Sequence, residues 1–450
     1  MRIPERHFNV SLIKFTNILK QTTMRKFMYF YMVFINLISY NQIMYSNAIF
    51  TILILGLGIY GNPVCPKYHQ MEHQSTDSAI TEIPHILSAE MSEFQPQENN
   101  HDVIWYDDFR QEKTYLESRG AIDYSESFSK NGGAMKAGFK KGEVNGEGDR
   151  KLAFGDFPNG SAVVSKGKHF DEIYWRIYVK HQYGWEGAPF KMSRATSIVS
   201  EKWQQAMIDH VWSGKDNSLT LDPASGVYGQ SDSIVTNGYN DFKNLKWLGN
   251  SPCSEFQISS VTESGYWVLV EASAKLNTPG KSDGSCRLWI DGRLEAERTN
   301  LNFRGSYVGH GINAVFLESY WNGGACKTEG RWYDNFIVST QPIGPVTCPV
   351  NPVLNKTPYH GKGEIEAWEL ELATDSEGKN VVYRSFSMGT KESITINTQS
   401  GTFLGSLKGK FQLTADYTYF CRVRQKRSKG PWSDWSRWHQ PFKVAANELQ

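Results

Sequence analysis

The sequence predicts an all-β protein of two sandwich domains, on three observations. Aromatic residues make up 13% of the 450 residues, with 14 Trp and 22 Tyr beside 39 Gly, and such rings favour pleated, half-buried surfaces while Gly favours turns. Apolar and polar residues alternate with period two in block after block between residues 102 and 344, and no amphipathic helix longer than a few turns interrupts them. A chain of this length also exceeds what one hydrophobic core holds, so at least two domains are expected.

The charges nearly cancel, with 48 Lys and Arg against 47 Asp and Glu, which argues against a nucleic-acid partner. Residues 27–60 carry no charge, and the flank before them holds Arg2, Arg6, Lys14, Lys20, Arg25 and Lys26 against Glu5. Two apolar runs, 27–40 and 48–60, are split by polar pairs, and neither spans a bilayer alone. Residues 1–65 therefore read as an export signal or a signal anchor, with Met24-Arg-Lys opening an ordinary basic n-region. The chain is expected to be secreted, or held at the cell surface by that N-terminal membrane segment. Gly-Asn-Pro-Val before Cys65 is a poor lipid-attachment box. Residues 66–101 are polar and aperiodic and read as a linker, after which structure should begin. Of six cysteines, Cys253, Cys286, Cys326, Cys348 and Cys421 follow the linker. Five cannot all pair within one molecule. No C-x-x-C spacing favours zinc, and a bridge among Cys253, Cys286, Cys326 and Cys348 is expected, its connectivity open.

In the large domain, 102–344, the clearest strand runs through 265–277. Val268, Val270, Ala272, Ala274 and Leu276 fall on one face, and Trp267, Leu269, Glu271, Ser273, Lys275 and Asn277 on the other. In 173–180, Ile173, Trp175, Ile177 and Val179 oppose Tyr174, Arg176, Tyr178 and Lys180; in 286–291, Leu288 and Ile290 oppose Arg287, Trp289 and Asp291. Two packed sheets follow, with one outer face left as a wet groove of aromatics and charges. Sugars suit such a groove, because pyranose C–H faces stack on indole and phenol rings while the hydroxyls require charged or amide partners.

Trp267–Glu271, Lys275-Leu-Asn-Thr-Pro-Gly, Leu288-Trp-Ile-Asp-Gly and Arg331-Trp-Tyr-Asp-Asn-Phe-Ile-Val-Ser-Thr together resemble the concanavalin A-like lectin/glucanase superfamily, above all its polysaccharide-lyase branches. The resemblance covers about 240 residues and implies a jelly-roll sandwich, but no single activity, since lectins, hydrolases and lyases share that fold. Trp105-Tyr-Asp-Asp-Phe at the start and Tyr333-Asp-Asn-Phe at the end fit neighbouring first and last strands. Asp107, Asp108 and Asp334 would then be candidates for a structural calcium, with turn capping as the competing role; no other cofactor is required.

Hydrolases need paired carboxylates flanking the scissile bond. No E-x-D-x-x-E run occurs, and Glu271 stands alone on its strand face. A lyase needs a group to neutralise a uronate, a base for the C5 proton and an acid for the leaving oxygen. If 204–212 is a strand, Gln204, Ala206, Ile208, His210 and Trp212 share a face. Alginate-lyase-like families carry a Gln-Ile-His strand, from which the six-residue spacing of Gln204 and His210 departs. Candidate catalytic groups are His210, Tyr320, Arg194 and Gln204, and candidate substrate contacts are Lys191, Arg176, Tyr239, Trp212, Glu271, Trp289 and Asn322. The expected partner is an acidic, uronate-containing polysaccharide, bound by a monomer and cleaved by β-elimination. The alternative is a non-catalytic glycan-binding or adhesion protein.

After a Pro-rich connector at 345–358, residues 359–446 form a second block. Leu413-Thr-Ala-Asp-Tyr-Thr-Tyr419-Phe-Cys-Arg422-Val-Arg424 followed by Trp432-Ser-Asp-Trp435-Ser is similar to fibronectin type III modules with a W-S-x-W-S box. The resemblance implies a corner made by Tyr419, a core indole at Trp368 and a stabilising stack of Trp432 and Trp435 with Arg422 and Arg424. Such a module beside a polysaccharide-acting domain implies a spacer or adhesion role.

Overall fold

A computed structural model describes residues 81–129 and 132–445. The expected signal or anchor, Cys65 and the first part of the expected linker lie outside the described residues. Those described form sheets joined by turns, with helical structure limited to short 3-10 turns. The expected all-β class holds.

The large domain is two antiparallel sheets face to face. A seven-stranded sheet runs in the order Lys246–Trp247, Leu219–Ser225, Gln205–Ser213, Lys191–Ile198, Ala314–Tyr320, Asp149–Ala153, Glu117–Arg119. An eight-stranded sheet runs Arg293–Leu301, Gly284–Ile290, Trp267–Lys275, Glu172–His181, Arg331–Ser339, Ala134–Lys136, Ile122–Asp123. Val103–Asp107 also pairs with Arg331–Ser339, so the first and last motifs are neighbours. Between the sheets lie Ile173, Trp175, Ile177, Val179, Val268, Val270, Ala272, Leu288 and Ile290, facing Met207, Val211, Leu219 and Leu221. Period-two alternation therefore identified the inward faces.

The outward faces are different from the expectation. Tyr178, Trp267, Leu269 and Trp332 point away from the core of the large domain, yet they are buried in one apolar cluster with Trp368, Leu370, Leu372 and Val423 of the C-terminal sandwich. Burying side chains of this size contributes about 1.5–3 kcal/mol each, and a sheet face this apolar cannot be left to water. Arg437 of the C-terminal sandwich adds polar ties, to Asp291 and, at 3.7 Å, to Glu263. The described residues belong to one compact unit.

The C-terminal sandwich has a six-stranded sheet, ordered Thr347–Cys348, His439–Val444, Thr418–Arg427, Ile365–Ala373, Val381–Ser385, Gly401–Phe403. Opposite it is a three-stranded sheet of Ile86–Ala89, Val353–Lys356 and Ser393–Thr395. Over 81–101 this corrects the reading of 66–101 as linker, and it corrects the reading of 345–358 as connector. Ile86 and Ala89 are buried, the strand they belong to pairs with Val353–Lys356, and the Gln95 amide donates to the Thr347 carbonyl at 2.9 Å and accepts from its N–H at 2.8 Å. A short apolar run inside a polar stretch is enough to form a strand when a sheet edge is open to it.

Within the six-stranded sheet the Arg422 guanidinium lies 4.7 Å from the rings of both Trp435 and Trp438, and that of Arg424 lies 4.7 Å from Trp432 and 4.6 Å from Trp435. Glu371 and Glu369 of the adjacent strand pair with these two arginines. The Tyr419 hydroxyl donates to the Thr414 carbonyl and accepts from its N–H, both at 3.0 Å. Cys253, Cys286, Cys348 and Cys421 are free thiols; Cys326 is disulfide-bonded, but to none of these. The bridge expected among Cys253, Cys286, Cys326 and Cys348 does not form.

One core position is under electrostatic strain. Asp209, on the inward face of Gln205–Ser213, is fully buried and its two oxygens have no nitrogen or oxygen partner. Burial pushes its carboxyl well above the ordinary 3.8. The folded state holds this proton while the unfolded state releases it near pH 4, so the contribution to stability is lost as pH rises towards the folded-state value. Asp209→Asn should flatten that slope. Urea denaturation should show the variant ahead by about 1–3 kcal/mol at pH 8 and by less at pH 5; an equal gap at both values would mean that Asp209 does not titrate in this range.

Candidate functional site

With the eight-stranded sheet covered, the outer face of the seven-stranded sheet carries the groove, a cavity of about 520 Å³. Lys191, Trp212, Tyr239, Phe242, Glu318 and Tyr320 line it, with the amides of Asn145, Asn240 and Asn322. Register places Tyr320 opposite Lys191 and Lys191 opposite Trp212. Arg194 sits between Phe316 and His210. Lys191 and Arg194 would face opposite sides of a regular strand. An extra residue between Lys191 and Ser193 turns both to the groove side.

Arg194 does not remain available to a substrate carboxylate. Its side chain is 0% exposed; Nη1 donates to Asn240 Oδ1 at 2.7 Å, and Nη2 to Glu318 Oε1 at 2.7 Å and to the Tyr239 hydroxyl. A desolvated guanidinium has to be matched in this way, and the match fixes the wall of the groove. Burial holds the Tyr239 phenol above its ordinary 10.0.

His210 lies beneath the groove instead of lining it. Its ring sits 5.1 Å from that of Trp212 and 6.2 Å from that of Trp247. Nε2 is 4.0 Å from Glu318 Oε2, too far for a hydrogen bond, and the Asp222 backbone is the one neighbour that favours the charged form of the ring. Burial first, then Arg194 and Lys191, pushes the imidazole well below 6.5, which keeps it neutral. The expected shared face of Gln204 and His210 also fails. Trp203 has φ 59°, the strand begins at Gln205, and Gln204 Nε2 donates to the Thr236 carbonyl at 2.5 Å. Gln205 is the strand amide: Nε2 donates to Thr196 Oγ1 at 3.0 Å, and Oε1 accepts the Asn240 N–H at 2.8 Å. These two amides pin the loop that presents Tyr239, Asn240 and Phe242.

Lys191 is the unusual cation. It is 6% exposed, and Nζ lies 4.9 Å from the Tyr320 ring, 5.2 Å from Phe242 and 6.0 Å from Trp212. Among the described residues it has no hydrogen-bond or ion-pair partner for Nζ, whereas Arg119 pairs with Asp149 and Lys151 with Glu117. Burial lowers its pKa from the ordinary 10.5; Glu318 opposes that shift and Arg194 adds to it.

Arg176, Glu271 and Trp289 are not part of this site. They stand on the eight-stranded sheet, where Glu271 accepts the N–H groups of Ile343 at 2.9 Å and Gly344 at 2.8 Å, and Arg176 Nη1 donates to the Gly344 carbonyl at 2.9 Å. Their charge serves the chain leaving the domain, and Trp289 packs near Tyr174 at 6.3 Å. Asp107, Asp108 and Asp334 do not converge on a cation. Asp107 accepts from Phe109 N–H and the Tyr115 hydroxyl, Asp108 from Arg110, and Asp334 from the N–H groups of Phe128 and Asn335. Among the described residues no cluster of three or more His, Cys, Asp or Glu is arranged to hold a metal. The turn-capping role is the observed one. Glu318 and Phe242 were not among the sequence candidates. Glu318 was within reach, since Phe316, Glu318 and Tyr320 alternate on one strand face; Phe242 sits on a loop with no period to read.

No family model matches the chain, and no curated protein matches it. Solved structures with some similarity include the endo-β-1,4-glucuronan lyase of the fungus Trichoderma reesei, at 12% identity and TM-score 0.36 over 53% of this chain and 96% of that one. An alginate lyase of a Chlorella virus aligns at 13% identity and TM-score 0.36, over 50% and 91%. The binding domain of a botulinum neurotoxin serotype D/C aligns at 9% and TM-score 0.30, over 69% and 68%. At these scores the function has to be argued from the groove itself.

The two buried cations should separate on mutation. Arg194→Met leaves Glu318, 12% exposed, without its guanidinium partner and should lower stability by about 3 kcal/mol. Lys191→Met removes a desolvated charge with no partner and should leave stability unchanged or raise it. Comparable losses in urea titrations of the two variants would make Lys191 a structural residue.

Proposed function

We propose that this chain binds an acidic polysaccharide in the groove and cleaves it by β-elimination, with Lys191 as base and Tyr320 as acid. The observation that carries the reading is Lys191: a cation with no hydrogen-bond or ion-pair partner for Nζ among the described residues, desolvated and beside a phenol, in a groove whose other charged lining residues, Arg119, Asp149, Lys151 and Glu318, are paired. In its neutral form Nζ takes the C5 proton of a uronate. The C–H electron pair becomes the C4=C5 bond, the C4–O4 bond breaks, and the pair leaving on O4 takes the Tyr320 proton. Lys191 then returns its proton to the Tyr320 oxygen. Asn145 and Asn322 can donate to the uronate carboxylate as charge builds on it.

His210, Arg194 and Gln204 act behind the groove in this reading, as positioning residues. The C-terminal sandwich, read as a fibronectin type III-like module, supports the eight-stranded sheet through the shared apolar cluster and is more than a spacer. Residues 1–65 remain proposed as the export signal or anchor that takes the protein to the cell surface or beyond it. A non-catalytic glycan-binding protein is the second reading, favoured by the same burial of His210 and Arg194, which leaves few reactive groups on the groove surface.

Incubation of the folded chain with alginate, glucuronan and glycosaminoglycans should release products with the absorbance of an unsaturated uronate. The rate should rise with pH, with a midpoint below the ordinary lysine value of 10.5, because a lowered pKa supplies neutral amine earlier. Lys191→Ala and Tyr320→Phe should each cost about 10²–10⁴ in kcat. Lys191→Arg should be as inactive as Lys191→Ala at every pH, since a guanidinium does not release its proton. Activity retained in Lys191→Arg would make the charge, not proton transfer, the contribution. Binding without turnover on every polyuronide would leave the lectin reading.

A further inference from the structure

The groove does not end at the cavity wall. Lys191 is bordered by Trp212 and Phe242, and each of these rings continues outward into another. Trp212 lies 5.5 Å from Phe190, and Phe242 lies 6.0 Å from Trp247. Trp247 is on the outermost strand of the seven-stranded sheet, where it pairs with Ala224, and it is also 6.2 Å from His210 beneath. The three outer rings remain open to solvent, Phe190 at 37%, Phe242 at 40% and Trp247 at 39%. Neither Phe190 nor Trp247 lines the cavity.

We infer that Phe190, Trp212, Phe242 and Trp247 form a sugar-stacking strip that carries the polysaccharide past the cavity and off the edge of the sheet, so that the protein grips several residues of the chain at once. The inference rests on the reading of the groove as a polysaccharide site. The ring pairs, 5.5 and 6.0 Å between centroids, continue from the cavity outward, and their exposed apolar surface suits the C–H side of a sugar. Lys191 lies between the two ring pairs, with Trp212 on one side and Phe242 on the other, so a uronate bound beside it places its neighbours over the rings. Rings left 37–40% exposed, one of them on a short edge strand, bury only part of their surface and leave an adhesive patch. A ligand that covers them accounts for both features.

Affinity electrophoresis of the full chain through native gels containing alginate or glucuronan tests the strip without requiring turnover. Trp247→Ala should be held back five- to ten-fold less than the natural chain, Trp247→Phe should recover most of the retardation, and the gain in affinity from tri- to pentasaccharide should shrink in Trp247→Ala. Because Trp247 is partly exposed on a two-residue strand, circular dichroism should show both variants folded. Retardation equal in Trp247→Ala and the natural chain would overturn the strip while leaving the groove reading standing. If the natural chain itself is not held back by either polymer, the groove reading fails and the strip with it. Retardation that depends on Trp247 without any elimination product would support the strip and count against the lyase.

Discussion

Tyr178, Trp267, Leu269 and Trp332 stand on the outer face of the eight-stranded sheet, and water cannot cover them at tolerable cost. The C-terminal sandwich closes that face with Trp368, Leu370 and Leu372. Much of the architecture follows from this burial. The segment before the large domain is recruited as an edge strand of the second sandwich. Arg176 and Glu271 are turned to holding the departing chain at Ile343 and Gly344. Among the described residues of the large domain, the sheet face left to a ligand is the outer one of the seven-stranded sheet.

On that face the deciding physics is electrostatic. Arg194 is enclosed, so Glu318, Tyr239 and Asn240 are spent on it, and the loop wall becomes rigid as a consequence. His210 is enclosed, and burial together with Arg194 and Lys191 keeps it neutral. Lys191 keeps a charge with no hydrogen-bond or ion-pair partner among the described residues, among rings that desolvate it and with Glu318 only partly offsetting that cost. Stability would be better served by an apolar residue there, and a desolvated lysine in that place is the strongest sign in the molecule of a ligand that meets it.

The local periodicity of strands was legible at the level of single residues. Ile173, Trp175, Ile177 and Val179, and Val268, Val270, Ala272 and Ala274, point inward as alternation required. So was the clustering of indoles and guanidinium groups at Arg422, Arg424, Trp432 and Trp435, because its spacing is short and lies in one segment. Of the site, the residue types were legible: Lys191, Tyr239, Trp212, Tyr320 and Asn322 all line the groove. Gln204 was misread by one position because the left-handed turn at Trp203 delays the strand, and Phe242 was missed because loops carry no period.

What the sequence by itself determined is therefore the all-β class, the inward faces and the supply of aromatic, amide and cationic side chains. Those follow from neighbours along the chain, since a pleated strand sends alternate residues to opposite sides whatever lies beyond it. Tertiary structure alone decided which outward face meets water and which of the charged residues are free. Glu271 and Lys191 look equally solvent-facing on their own strands, but one is capped by backbone N–H groups brought from residues 343 and 344 and the other meets only rings. Burial and charge pairing depend on segments far apart in sequence, and no local pattern encodes them.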